Sequence, residues 1–388
     1  MKRSVDRILT THVGSIPRPA ALLDVDARHA KGEASAEDYK AALTQAVAEV
    51  VRLQGQHGID VVNDGEFCKS NWANYIGERI TGFEKRPDER QPLYWLGRDR
   101  ERFPDVIARD LPILHKGMPT EACVADIQYV DRQPITENIA DLKAALKGAK
   151  AEEAFLTAVA PASAIFNGVN EHYANEHDYI FALAEALRVE YLAITEAGLI
   201  VQVDDAVLSN MYDHLVSQSP EHYRQWAQLR VDALNHALRG ISEDRVRYHV
   251  CFGSWHVPHV ADAPLEEIVG FIVQVKAGAY SIEAANPRHE HEWRVWEKTK
   301  LPNDRILIPG VITHHTITVE HPRLVADRII RFANIVGREN VIAGADCGFA
   351  QVDAIRRTHP KVMWAKFEAL AEGARIASDE LWGRKAAA

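Results

Sequence analysis

Eight short runs rich in valine, isoleucine and leucine recur along this chain, and most end in a polar or glycine-bearing tip before a helix-like stretch. They cover residues 8–13 (ILTTHV), 59–63 (IDVVN), 154–160 (AFLTAVA), 199–204 (LIVQVD), 246–252 (VRYHVCF), 279–283 (AYSIE), 305–309 (RILIP) and 341–345 (VIAGA). Between them, stretches such as 36–55 and 322–337 carry apolar residues at i, i+3, i+4 and i+7, the pattern of an amphipathic helix. Eight strands alternating with helices predict an α/β fold and, within that class, a (β/α)8 TIM barrel ahead of an open doubly wound sheet.

A minimal barrel needs about 250 residues, and this chain has 388. Most of the surplus lies between the second and third strands, at 67–150, where QPLYWLGRDRERFP and ADIQYVDRQPIT read as an inserted hairpin or lid. The rest goes into long helices at 222–239 and 362–377. With no internal repeat and no linker, residues 1–388 are expected to form one catalytic domain. The net charge of −10, with no basic run as long as five residues, argues against nucleic acid and anionic membranes as partners. No segment approaches the roughly 20 consecutive apolar residues of a membrane helix, and the N-terminus lacks the apolar core of a secretory signal, so a cytoplasmic location is expected. Cys68, Cys123, Cys251 and Cys347 are too few and too scattered for a disulfide framework.

Barrel enzymes build their active sites at the C-terminal ends of the strands. Those ends carry His12-Val13-Gly14-Ser15, Asn63-Asp64-Gly65-Glu66, Asp204-Asp205, His249-Val250-Cys251, Glu283, Pro309-Gly310-Val311 followed by His314-His315, and Asp346-Cys347-Gly348. His249 and Cys251 are two apart on a strand and so share a face, which in a barrel is the interior. Cys347 and Glu283 can converge on the same point from the eighth and sixth strands. One imidazole, two thiolates and a carboxylate make a tetrahedral zinc set: His249, Cys251, Glu283 and Cys347. Two thiolates already offset the charge of Zn2+, which makes the metal a poor activator of water but a good holder of an incoming thiol, kept nucleophilic as its thiolate. Glu283 is the ligand such a thiol can displace. A zinc hydrolase and a non-catalytic zinc protein are the competing classes.

These residues resemble the catalytic barrel of cobalamin-independent methionine synthase and its single-barrel relatives, which include the epoxyalkane:coenzyme M transferases. The similarity runs through Thr10-Thr11-His12-Val13-Gly14-Ser15, Asp64-Gly65-Glu66, Val201-Gln202-Val203-Asp204, His249-x-Cys251, Ser281-Ile282-Glu283, Pro309-Gly310-Val311 and Asp346-Cys347-Gly348-Phe349. The resemblance implies the same four zinc ligands, homocysteine-type contacts from Gly14, Ser15, Glu66 and Asp204, and His315 as the acid–base histidine. It leaves open whether folate is the donor, because residues 161–167 read PASAIFN where a folate-stacking tryptophan is expected. Two carboxylates beside a thiol site suit an ammonium group, whereas Arg288, in the segment AANPRHEHEW, would suit a sulfonate or carboxylate tail if it is not simply in a surface salt bridge. The expected partners are a small-molecule thiol and either a methyl donor or an epoxide; the thiol's identity and a homo-oligomeric assembly are left open. Arg98, Arg100 and Arg102, interleaved with acids, read as a solvated charged face.

Overall fold

The computed structural model describes residues 1–111, 116–254, 256–302, 305–350 and 358–383. All eight expected strands are present: β1 (Leu9–Thr10), β2 (Val61–Val62), β5 (Glu153–Val159), β7 (Ile200–Asp205), β8 (Val246–Val250), β9 (Ala279–Ile282), β10 (Ile306–Ile312) and β11 (Ile342–Ala345). They pair in parallel in the order β1-β11-β10-β9-β8-β7-β5-β2, and a bridge between Thr11 and Val61 joins the two ends of the sheet. This is a (β/α)8 barrel. Helices Ala36–Gln56, Glu176–Glu196, Pro220–Ala237, Leu265–Ile272, Pro322–Val336 and Pro360–Leu381 wrap the outside. Their starts follow capping chemistry: the Ser35 hydroxyl accepts from the Asp38 amide while the Asp38 carboxylate accepts from the Ser35 amide, and Pro220, Pro322 and Pro360 open their helices behind Ser219, His321 and His359. No helix among the described residues is long and apolar enough to cross a membrane.

Inside the barrel, the lower level is filled by Leu9, Ala279, Ile306, Ile308 and Ile342 on one side and Val61, Phe155 and Ile200 on the other. Above them the filling turns polar. Arg247 lies over the Phe155 ring at 4.1 Å and donates to the Thr11 hydroxyl and the His12 carbonyl, and burial pulls its guanidinium down to about 9. His12 is held near 4 by burial, so at neutral pH it is an uncharged hydrogen-bonding partner of Gln54. The floor of the pocket is therefore a fixed polar layer on an apolar plug.

The 67–150 segment does contain a hairpin, but not from the stretches expected. Its arms are β3 (Phe83–Gln91) and β4 (Met118–Cys123), antiparallel, and β6 (Gly168–Asn170) adds in parallel to β4. QPLYWLGRDRERFP folds into a short 3-10 turn (Tyr94–Leu96) and two small helices (Asp99–Arg102, Pro104–Asp110), while ADIQYVDRQPIT supplies one bridge, Ile80 to Tyr129, and the start of helix Gln133–Ala145. β3 is too charged and exposed to show strand periodicity, and the pairing is interrupted between Arg86 and Arg90, around Pro87.

Leu93, Trp95, Leu96, Ile107 and Leu111 of this segment pack into one apolar cluster with Val13, Ala206, Val207, Cys251 and Cys347 of the barrel rim. The charged stretch also works as an anchor rather than only a solvated face. The Arg98 amide and guanidinium both donate to Asp213, at 2.8 Å each, and buried Asp99 accepts from the Val260 amide at 2.9 Å. Gly97 sits so close to Asp213 that a Cβ would lie 2.6 Å from its carboxylate.

Candidate metal and active site

His249, Cys251 and Cys347 meet at the barrel mouth, with one ligand atom of each lying within 4.8 Å of the others. All three are buried. The two sulfurs are 3.4 Å apart, far beyond the roughly 2.05 Å of a disulfide and near the about 3.8 Å kept by two thiolates on one tetrahedral ion. His249 Nδ1 faces the Ser281 hydroxyl at 3.2 Å, while Nε2 is buried without a hydrogen-bond partner. Fixing one ring nitrogen and leaving the other bare is how a protein orients a metal-ligating histidine. Each cysteine also takes a hydrogen bond from a neighbour: the Ser254 hydroxyl donates to Cys347 at 3.0 Å, and the Gly253 amide donates to Cys251 at 3.2 Å. Hydrogen bonding between the two cysteines holds Cys347 well below the usual thiol range and pushes Cys251 well above it. A second thiolate at this spot needs a cation, so the residues fit a metal ion.

Glu283, the expected fourth ligand, stands beside this group but does not belong to it. Its Oε1 accepts from the Phe252 amide at 2.9 Å and its Oε2 from Asn286 at 2.9 Å, with His315 Nε2 at 3.8 Å. Burial alone would raise its pKa, but His315, His289 and the Phe252 amide bring it below the ordinary carboxylate value. Asp346 accepts from the Ala284 and Ala285 amides, both at 2.8 Å, and is lifted to about 6 by burial and by Glu283. It fixes the loop that carries Glu283 and Asn286.

The pocket above the three ligands holds about 570 Å3 of empty space, part of it open to solvent. Ser15, Glu66 and Asp204 line it together with His249, Cys251 and Cys347, as expected. Gly14 lies directly behind Glu66: it has φ +135°, and a Cβ there would sit 2.6 Å from Glu66 Oε1 and 2.8 Å from the Thr157 methyl. Glu66 itself has φ +60°, a strained conformation for a non-glycine residue that aims its carboxylate at the pocket wall. Burial raises the pKa of both carboxylates; Asp64 and Cys347 add to the rise at Glu66, and Glu66 adds to the rise at Asp204, which reaches about 7 even though Gln202 donates to it at 2.7 Å. Lys69 moderates Glu66 from a distance while donating to the Thr157 carbonyl and hydroxyl at 2.7 and 2.6 Å. Asp205, by contrast, is structural: Tyr248, Ser163 and the Val207 amide all donate to it.

Arg288 and His315 are not in this lining. Both border an adjoining pocket with Glu283, His259 and His289, and Arg288 donates to the Val260 carbonyl at 2.9 Å. Sequence reasoning missed Trp72 and Trp95, which wall the main pocket, and Ser254 and Ser281, which hold the ligands. Ser281 was within reach, being paired across the sheet with His249; the tryptophans sit in irregular chain that carries no periodic signal. Cys68 and Cys123 lie outside the group.

Known proteins show the family and the fold. Residues 8–365 match the family described as cobalamin-independent synthase, catalytic domain. The chain is 25% identical to a methionine synthase of Saccharolobus islandicus over 96% of its length and 95% of the relative's, and 24% identical to one from Sulfurisphaera tokodaii over 96% and 93%. Among solved structures it resembles a B12-independent methionine synthase from Shewanella sp. W3-18-1 in complex with selenomethionine, with a TM-score of 0.74 at 18% identity, covering 97% of this chain and 99% of that one. A putative vitamin-B12 independent methionine synthase from Listeria monocytogenes gives 0.67 at 19%, covering 95% and 98%. With its barrel, its ordered strand-tip motifs and a family match over nearly its whole length, the chain belongs to the catalytic-domain family of the cobalamin-independent methionine synthases.

Proposed function

We propose that this protein is a zinc-dependent thiol S-alkyltransferase of methionine-synthase type, which transfers a methyl group to the sulfur of an amino-acid thiol such as homocysteine. One observation carries the reading: the His249, Cys251 and Cys347 donors and the two carboxylates Glu66 and Asp204 face the same pocket. A zinc ion held by the three donors would take up the incoming thiol and lower its pKa from about 8.5, so that a nucleophilic thiolate exists at neutral pH.

The chain's own residues do the rest. Glu66 and Asp204 hold the ammonium group, whose charge relieves two carboxylates that burial keeps hard to ionise. Ser15 lines the same wall, and Gly14 leaves the space in which Glu66 lies. Glu283 would be the exchangeable neighbour of such an ion, and His315, whose Nε2 lies 3.8 Å from the Glu283 carboxylate, would be the acid. The apolar cluster of Leu93, Trp95, Leu96, Ile107 and Leu111 roofs the thiols and keeps water from competing for the alkyl group.

Epoxide opening by a sulfonate-bearing thiol is the second reading, and the pocket disfavours it. Such a thiol needs a cation at its tail, yet Arg288 borders the adjoining pocket and its guanidinium is engaged with the Val260 carbonyl. The carboxylates that do line the site would repel it.

The test is X-ray absorption at the zinc edge of the loaded protein with and without homocysteine. The metal is expected to gain one sulfur neighbour, and calorimetry in two buffers should show release of close to one proton at pH 7. An unchanged sulfur count at saturating homocysteine overturns the proposal.

A further inference from the structure

Glu66, one of the two carboxylates that face the thiol pocket, is fixed at its amide, its carbonyl and its side chain. The amide donates to Asp64 at 3.0 Å, the carbonyl accepts from the Lys69 amide at 3.1 Å, and the carboxylate takes a hydrogen bond from the Thr157 hydroxyl on β5. The backbone contacts close a turn in which Gly65 and Glu66 both have positive φ, +76° and +60°. The side-chain contact is governed by Lys69. This lysine is only 6% exposed; its Nζ donates to the Thr157 carbonyl at 2.7 Å and the Thr157 hydroxyl at 2.6 Å, and lies 4.4 Å from the centre of the Tyr75 ring. Its N–H groups thus meet a carbonyl, a hydroxyl and an aromatic face, all uncharged. A buried ammonium with neutral partners is costly, and here the counter-charge stands one hydrogen bond further on. A hydroxyl has a single proton to give, and an ammonium can only donate. Thr157 accepts from Lys69, so its own proton is directed to Glu66.

We propose that Lys69, acting through the Thr157 hydroxyl, is the positioning residue that makes the acceptor site selective for a thiol bearing an ammonium group. The proposal rests on the thiol-transfer reading above and names what sets its choice of acceptor. Neither Lys69 nor Thr157 lines the thiol pocket, and Lys69 borders a neighbouring one with Arg18 and Ser70, so both act on the substrate through Glu66. The hydroxyl engages one of the about four lone-pair sites of the carboxylate and fixes its rotation, leaving the others as acceptors for the ammonium. Charge works in the same direction. Burial raises the pKa of Asp64, Glu66 and Asp204, and the Lys69 charge opposes that rise at all three. A lysine inside the pocket would repel an ammonium; standing behind Thr157, it supports the ionised carboxylate without entering the site.

The test compares two thiols that differ only in the ammonium group, homocysteine and 4-mercaptobutanoate, with Kd for the zinc-loaded protein read by calorimetry. The wild type is expected to prefer homocysteine by about tenfold or more, as one charge-assisted hydrogen bond provides. Thr157→Val keeps the shape and loses the hydroxyl, and Lys69→Met keeps the stem and loses the charge; each should cut the preference to about threefold or less, while Thr157→Ser retains it. Affinity for 4-mercaptobutanoate should change less than about twofold in all three variants, a split that general loosening of the pocket does not give. Circular dichroism checks folding, and the Thr157→Val and Thr157→Ser pair decides the matter should Lys69→Met not fold. No preference in the wild type, an unchanged preference in Thr157→Val, equal losses for both thiols, or tighter homocysteine binding in Lys69→Met overturns the inference alone, provided both thiols still add a sulfur to the zinc. Failure of either thiol to add that sulfur at saturation overturns the thiol-transfer reading, and the inference falls with it.

Discussion

Replacing Gly14 with alanine perturbs the acceptor site through a single methyl group. The backbone at φ +135° costs an L-residue about 1–3 kcal/mol, so unfolding in urea should report a loss of that size. The functional effect is separate. The new Cβ would stand 2.6 Å from Glu66 Oε1 and 2.8 Å from the Thr157 methyl, against about 3.4 Å or more for ordinary contacts. Thr157 is pinned by Lys69, which donates to both its carbonyl and hydroxyl, so the Glu66 carboxylate is the group that gives way. Displacing it removes one charge-assisted hydrogen bond to the substrate ammonium, about 1.5–3 kcal/mol, or roughly a 10- to 150-fold rise in the homocysteine Kd by calorimetry. Glu66→Gln should weaken binding by a similar factor, and the double variant should lose little more than either single one, because both act through the same carboxylate. Fully additive losses, or a Gly14→Ala protein with undiminished affinity, would refute the reasoning.

Cys347→Ser should lose most of its zinc while keeping its far-ultraviolet circular dichroism, since the barrel core does not depend on the metal, whereas Cys68→Ser and Cys123→Ser should retain about one zinc per chain by elemental analysis. His289 is buried between Asp262 and Glu292 at 3.0 and 2.8 Å; burial opposes its charge, but these hydrogen bonds outweigh it and raise its pKa to about 10. Below about pH 6.5 the imidazolium is present in the folded and unfolded chain alike, and its two partners stabilise the fold; as pH rises towards 10 the unfolded chain gives up the proton first, and that contribution is lost. The urea midpoint should therefore fall between pH 6 and 9 more steeply in the wild type than in His289→Gln, and equal slopes would contradict the assignment.

The barrel was legible because its strands carry two signals at once, a buried apolar run and a polar tip. The proximity of His249 and Cys251 was legible because period-two spacing puts them on one face whatever the rest of the chain does. Glu283 shows the limit of that logic. Spacing places a carboxylate at the right strand end, but its direction depends on the Phe252 amide and Asn286, which sequence does not point to. The direction of Arg288 was hidden for a similar reason, since it is drawn to a backbone carbonyl of a neighbouring loop. The inserted segment was read least well. Its strand Phe83–Gln91 is almost wholly polar, and Trp72 and Trp95 acquire their place from tertiary packing against Phe166 and the apolar cluster at the barrel rim.

The apolar cluster that joins Leu93, Trp95 and Leu96 to Cys251 and Cys347 divides the enzyme into two separately adjustable parts. The strand tips carry Glu66, Asp204 and the His249–Cys251–Cys347 group, and their positions are fixed by the barrel's register; the inserted segment supplies the opposite wall, and it is tied to the barrel by side-chain packing, by the pairing of β4 with β6 and by anchors such as Arg98 to Asp213. Insertions of this kind can lengthen, shorten or change their aromatic content without shifting any strand. A designer seeking a new donor for the same thiol would leave the eight strands alone and rebuild only the roof.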